Sequence, residues 1–336
     1  RVGAAQQPGE ALPHGGVIVH VNCGNGKLTA ALRANDRFVV QGLDTDGERV
    51  AEARATVRGL GLYGPVAVDR VDGMRLPYAE SMVNLIVIGG PSSLDREELL
   101  RVLAPGGVAV TVAADNGRQI EEKLVKPRPG NTDEWTHYLH DASGNPVAHD
   151  DLVGPPRYLR WTAEPPYARS HEHTPSINAV VSAGGRVFYI MDRTPVVSVR
   201  RAAEWQLVAR DAYNGTLLWR RAIASWYPHI LNWGGTPQQL QRKLVAVGGR
   251  VYATLGLYAP VSVLDAATGE TLQVLENTEG TEEIVYHQGT LLVAVRGVSQ
   301  DRKEEFSRLT GLMKQEDSPL FDRDSAEPLV QRFRDS

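Results

Sequence analysis

Three short segments carry residue types that could do chemistry. The first is Val17-Ile18-Val19-His20-Val21-Asn22-Cys23-Gly24-Asn25-Gly26-Lys27-Leu28-Thr29, an apolar run that breaks into a glycine turn and opens a helix. Glycines let backbone approach a ligand, and a helix N-terminus offers free N–H groups, so this pattern suits a phosphate or nucleoside. The second is Leu43-Asp44-Thr45-Asp46, which ends the next apolar run. Asp44 follows Gly24 at the spacing of about 20 residues that suits a carboxylate accepting both ribose hydroxyls. The third is Val71-Asp72-Gly73-Met74, and beyond it Gly89-Gly90-Pro91-Ser92 closes a further apolar run.

The other candidates are weaker. His137, His140, Asp141, His149, Asp150 and Asp151, with His171-Glu172-His173, crowd one proline-rich stretch. Such residues ligate metals, but these spacings match no strong metal motif, so no metal is expected. Cys23 is the one cysteine. It excludes an internal disulfide and has no neighbouring base to activate it as a nucleophile.

The elements needed to position these residues follow from the pattern. Residues 17–125 alternate strand and helix signals, with strands expected at 17–21, 38–43, 66–70, 83–88 and 108–113. Val50, Ala53, Val57 and Leu60 recur at helical spacing, and Asp95 to Leu103 carries Leu99, Leu100 and Leu103 on one side. Strands alternating with helices predict a parallel sheet with right-handed crossovers.

Residues 126–175 hold Pro127, Pro129, Pro146, Pro155, Pro156, Pro165, Pro166 and Pro175, which predicts a linker and docking arm. From 176 the pattern is all-β. Ser182-Ala183-Gly184-Gly185-Arg186-Val187-Phe188-Tyr189-Ile190 recurs as Ala246-Val247-Gly248-Gly249-Arg250-Val251-Tyr252-Ala253-Thr254, and more weakly from Tyr286 to Val293. Asp211-Ala212-Tyr213-Asn214-Gly215 recurs as Asp265-Ala266-Ala267-Thr268-Gly269, a hairpin turn with Asp capping and Gly at positive φ. Trp219 follows as an anchor between sheets. Repeated short strands predict radial blades. Residues 300–336 are charged and read as a helix or a disordered end.

The organisation expected is therefore multidomain, α/β plus all-β. It runs as an N-terminal linker (1–16), a Rossmann-like sheet of about five strands (17–125), the arm (126–175), about three propeller blades in an incomplete ring (176–299) and a charged tail (300–336). The chain has 336 residues, 42% hydrophobic and 23% charged, with net charge -4, which does not favour nucleic acid as partner. Its apolar runs are far short of a membrane span.

The first segment resembles class I S-adenosylmethionine-dependent methyltransferases over about 100 residues. The glycine turn, Leu43-Asp44-Thr45-Asp46, Val71–Tyr78 and Leu99-Leu100-Arg101-Val102-Leu103-Ala104-Pro105-Gly106-Gly107 match that family's motifs in order. The resemblance implies S-adenosylmethionine as cofactor and assigns to its site His20, Asn22, Gly24, Gly26, Asp44, Thr45, Asp72, Gly73, Met74 and Gly89. Asp72 would lie near the adenine amino group and Met74 against the ring. His20 stands where the family carries an acidic residue, Asn22 where it carries glycine and Asn84 where it often carries Asp. The family's antiparallel sixth and seventh strands have no visible counterpart. No catalytic base is assigned.

Residues 209–219 and, less closely, 261–273 are similar to the propeller repeats of pyrroloquinoline-quinone dehydrogenases and of an outer-membrane assembly lipoprotein. The quinone itself is not expected, because one cysteine forms no adjacent-cysteine disulfide and about three blades form no central pocket. Missing blades or a protein partner would complete the ring. Two functions follow. One is a methyltransferase coupled to an interaction module, and the other is a non-catalytic scaffold with a degenerate methyltransferase domain. The first implies a cytoplasmic location and the second a periplasmic or envelope one.

Overall fold

The computed structural model describes residues 13–72, 75–115, 118–156, 158–164, 177–194, 203–224, 238–315 and 317–335. Gly73, Met74 and His171-Glu172-His173 lie outside the described residues.

The first sheet contains β1 (Gly16–Val21), β2 (Phe38–Asp44), β3 (Val66–Arg70), β4 (Val83–Gly89), β5 (Leu103–Asp115) and β6 (Arg118–Val125), in the order β3-β2-β1-β4-β5-β6. All neighbours run parallel except β5 and β6. Five strands thus stand as expected, while β6 does not: Arg118–Val125 pairs antiparallel with Val108–Asp115 of β5. Its Arg118-Gln119-Ile120-Glu121-Glu122-Lys123-Leu124-Val125 is too charged to signal a strand, because an edge strand needs only one covered face.

Three helices position the loops of this sheet: α1 (Lys27–Ala31), α2 (Gly47–Gly59) and α3 (Arg96–Val102). Asp46 and Asp95 cap α2 and α3 with side-chain oxygens on the N–H groups of Glu48 and Glu98. Ala53 and Val57 of α2 pack with Ile18, Val40 and Val68 on one face of the sheet. Leu99 and Val102 of α3 pack with Val19, Val21 and Ile86 on the other.

The second half forms two antiparallel four-stranded sheets and a two-stranded one. Strands β7 (Ile177–Ala183), β8 (Arg186–Asp192), β9 (Trp205–Asp211) and β10 (Leu217–Ala222) form the first. Strands β11 (Leu244–Val247), β12 (Arg250–Thr254), β13 (Val261–Asp265) and β14 (Thr271–Val274) form the second. The third is the hairpin of β15 (Thr281–His287) and β16 (Thr290–Val295). No closed ring is present among the described residues. The charged end is helical, with α4 (Gln300–Met313) and α5 (Arg323–Asp335) burying Phe306, Leu309, Val330 and Phe333 in a core shared with the two four-stranded sheets.

One contact type repeats between sheets. The indole of Trp219 covers Gly269, where an added Cβ would lie 2.6 Å from the ring, and its Nε1 donates to the Ala266 carbonyl at 3.1 Å. Trp161 of the arm covers Gly215 in the same way, again at 2.6 Å, and donates to the Ala212 carbonyl at 3.0 Å. Both glycines have φ +75.

The arm does more than link. Ser182 N–H of β7 donates to the Trp135 carbonyl, Ala246 N–H of β11 to the Thr136 carbonyl, and Tyr286 N–H of β15 to His137 Nε2. Three consecutive residues therefore tie the first strand of each of the three sheets, satisfying backbone donors that sheet pairing leaves over.

Candidate functional site

In a parallel sheet of this order, ligands sit beyond the carboxyl ends of the strands, where the order reverses. Here the reversal falls between β1 and β4. Asn22 and the glycine turn leave β1 at that point, Asp44 ends β2 beside it, and Gly89-Gly90-Pro91 leaves β4 across from it.

The glycine turn is held from within. Gly24 has φ 54 and Gly26 φ 77. A Cβ on Gly26 would lie 2.8 Å from Ala53 of α2, so glycine is required there by close packing as well as by backbone shape. Cys23 N–H donates to the Leu43 carbonyl, and Gly26 N–H to the Cys23 carbonyl. The helix that follows has only five residues, so its dipole is small.

Asp44 is 3% exposed. Its Oδ2 accepts the Gly24 N–H at 3.0 Å and its Oδ1 accepts the Asp46 N–H at 3.1 Å. Each carboxylate oxygen has a second lone pair, so the group can take two further donors. Thr45, next along, is exposed, and its carbonyl accepts from Arg70 Nε. Asp72 is exposed in the loop after β3.

His20 shares the α1 and α2 face of the sheet with Ile18, and its ring turns inward. It is 3% exposed, with Nδ1 2.8 Å from Thr29 Oγ1 of α1. Burial pushes its pKa down to about 4 against the opposing pull of Asp44, so the ring is neutral at pH 7. Its Nε2 lies beneath Gly89, where an added Cβ would come within 3.4 Å of it and 3.0 Å of the Asn22 carbonyl. Cys23 is buried and its thiol is pushed up to about 11, again mainly by burial.

Asn22 takes φ 56, a left-handed backbone that Asn tolerates. Its Nδ2 donates to the Pro91 carbonyl at 2.7 Å. That bond spans the mouth between the β1 and β4 loops, a role that its residue type alone did not signal.

Asn84 sits at the other end of β4. Its Oδ1 accepts the Val17 N–H at 2.8 Å, and an added Cβ on Gly16 would meet the same oxygen at 2.0 Å. Its amide reaches the turn between β9 and β10, described below.

Among the described residues no group of three His, Cys, Asp or Glu is arranged to hold a metal. His140 Nε2 is 2.7 Å from Asp133 Oδ2, and that oxygen also accepts the His149 N–H. These bonds fold the arm onto itself. No described helix is long and apolar enough to cross a membrane.

No family model and no curated protein matches this chain. Solved structures similar to it over about 30% of its length, within the N-terminal part, include S-adenosylmethionine-dependent methyltransferases. One is a methyltransferase from Aquifex aeolicus, 24% identical, covering 32% of this chain and 64% of its own, with TM-score 0.29. Another is geranyl diphosphate C-methyltransferase from Streptomyces coelicolor A3(2), in complex with magnesium, geranyl diphosphate and S-adenosylhomocysteine, 17% identical, covering 30% and 40%, with TM-score 0.27. A third is the YcgJ protein from Bacillus subtilis, 20% identical, covering 30% and 44%, with TM-score 0.27. The chain thus spans between 40% and 64% of the length of these three.

Proposed function

We propose that the N-terminal sheet binds a nucleoside of the S-adenosylmethionine type across the β1–β4 reversal, with Asp44 accepting the ribose hydroxyls. One observation carries this reading: a carboxylate at the end of β2 is fixed by Gly24 and Asp46 N–H groups with two acceptor positions to spare. Gly24 and Gly26 keep the neighbouring backbone low enough for a sugar to approach, and Gly89 and Gly90 do so opposite. Asp72, Gly73 and Met74 are proposed to flank the base, and Thr45 to line the ribose side.

The Asn22–Pro91 bond joins the loops on either side of the proposed site, and we take it to restrict entry of a ligand. His20 supplies no charge to the amino end of the ligand, being neutral and turned into the core. A methyl transfer at this site would rest on positioning, since a sulfonium is already electrophilic. With its pKa near 4, His20 is too weak a base to deprotonate an acceptor at pH 7.

A second reading, a scaffold that binds nothing here, is favoured by that same Asn22–Pro91 bond. Calorimetric titration with S-adenosylmethionine and with S-adenosylhomocysteine separates the two. Saturable heat with either ligand supports the first reading; none with both, together with no thermal shift, supports the second.

The repeated sheets are proposed as an interaction module with propeller-type packing. They dock on the end of β4 opposite to Gly89, through Asn84. Five residues of strand, about 16 Å, separate that contact from the proposed site. The module therefore leaves the ligand edge open, and an acceptor need not pass through it.

A further inference from the structure

The arm ties the first strand of each of the three sheets, but not with the same chemistry. Ser182 and Ala246 donate their N–H groups to the backbone carbonyls of Trp135 and Thr136. Tyr286 of β15 donates instead to a side chain, His137 Nε2, at 3.0 Å. A carbonyl accepts at every pH, whereas an imidazole nitrogen accepts only while it carries no proton. Of the three ties, the third alone rests on a titratable acceptor.

The bonds around the ring fix its tautomer. Thr136 Oγ1 donates its proton to the His140 carbonyl at 3.2 Å, which leaves that oxygen as an acceptor. His137 Nδ1, 2.7 Å from it, must then be the N–H donor, and Nε2 keeps the lone pair that Tyr286 uses. A second proton would fall on Nε2 and set two donors against each other. The ring is buried, and charged or titratable groups face it from each element packed on it. These are His140 and Asp141 from the arm, Arg242 from the turn Gln238–Lys243, and Glu283 from β15. Arg242 pairs with Glu283 at 3.2 Å, and Asp141 lies 3.7 Å from His140. Burial holds the His137 ring below the usual imidazole range, with Asp141 and Glu283 pulling up and His140 pulling down. A cleft of about 250 Å³, lined by His137, Asp141, Ser143, Arg242 and Glu283, gives protons a route to it.

We infer that His137 is a proton-operated latch between the arm and the third sheet. The neutral ring holds β15 at Tyr286; protonation at Nε2 breaks that bond and frees this edge of β15 toward the cleft. The hairpin stays seated meanwhile, because Ile284 and Val293 pack with Val245 and Val263, and Tyr286 stacks on Tyr252 at 5.6 Å. The step is local, one proton for one tie, and the ties to Ser182 and Ala246 do not respond to it.

The test is amide hydrogen exchange of the full chain followed by NMR, each rate taken relative to its intrinsic rate at the same pH. A proton that binds only the open form lowers protection about tenfold per pH unit below the free imidazole value of about 6.5. Tyr286 should therefore be at least tenfold less protected at pH 5.0 than at pH 7.5, while Ala246 changes less than about threefold. In His137→Gln, whose Oε1 accepts at either pH, the loss at Tyr286 should vanish. If that variant fails to fold or leaves Tyr286 unprotected throughout, the ring nitrogen shifts of the wild type decide. They should show a bare Nε2 at pH 7.5 and its protonation as Tyr286 loses protection. The proposal is overturned by equal Tyr286 protection at both pH values, an equal loss at Ala246, the same loss in His137→Gln, or a ring that stays singly protonated while Tyr286 opens.

Discussion

Asn84 Nδ2 lies 2.7 Å from Asp211 Oδ2, joining the first sheet to a turn 127 residues away in sequence. Asn214 of the same turn donates to Asn84 Oδ1 at 2.7 Å and to the Met82 carbonyl at 2.9 Å. Asp211 accepts the N–H groups of Tyr213 and Asn214 with its other oxygen. Burial raises its pKa, with these bonds opposing. An amide at position 84 thus answers a carboxylate at position 211.

Asn84→Asp sets two carboxylates against each other in a half-buried contact. We expect a loss of about 3 kcal/mol at pH 7, read from denaturant unfolding. Combining it with Asp211→Asn restores an amide facing a carboxylate, and most of the loss should return. Two single-mutant costs that simply add would contradict direct pairing.

His20 makes stability depend on pH. Its unfolded value is 6.5 and its folded value about 4. The unfolded chain binds more protons between these values, so stability is full above about 6.5 and falls as pH drops toward 4. The full effect is about 3 kcal/mol. His20→Phe keeps the ring volume, removes this dependence and takes the ring partner from Thr29 Oγ1, at a cost of about 1 kcal/mol at pH 7. Melting curves at pH 5 and 7.5 for both proteins check it.

Gly215→Ala and Gly269→Ala each drive a Cβ into an indole and impose positive φ on an L side chain. Each should destabilise by about 2–4 kcal/mol. Gly248→Ala, which meets nothing within 4 Å, should cost less, through its φ of +57 alone. Equal effects at all three positions would deny the tryptophan docking.

Asn22→Gly keeps the left-handed backbone and removes the bond to Pro91. If that bond closes the ligand mouth, S-adenosylhomocysteine should bind more tightly, by about threefold to tenfold, as expected from losing one hydrogen bond of about 1 kcal/mol. Unchanged affinity would take Asn22 out of the account.

Much of this arrangement was legible in the residues. Apolar runs ending in glycine or Asp marked the five parallel strands, and the Gly-Gly and Asp-x-x-x-Gly repeats marked the sheets, because both signals are local. Strand β6 was not legible, since its charged face looks like a loop until β5 is beside it. The inward turn of His20 depends on Thr29, and the partner of Asn84 comes from the far half of the chain. No local pattern encodes either. The prolines of 126–175 mark a linker and docking arm, but not which residues dock: Trp135, Thr136 and His137 use backbone and ring atoms to tie three sheets together.

The account rests most directly on Asp44. Titration of the wild type and of Asp44→Asn with S-adenosylhomocysteine, each shown to be folded by circular dichroism, tests it. We expect saturable one-to-one binding to the wild type, weakened at least tenfold in Asp44→Asn, because a ribose hydroxyl loses a charged acceptor worth about 1.5–3 kcal/mol. No saturable binding to the wild type, or equal binding to both proteins, would contradict a nucleoside site at the end of β2.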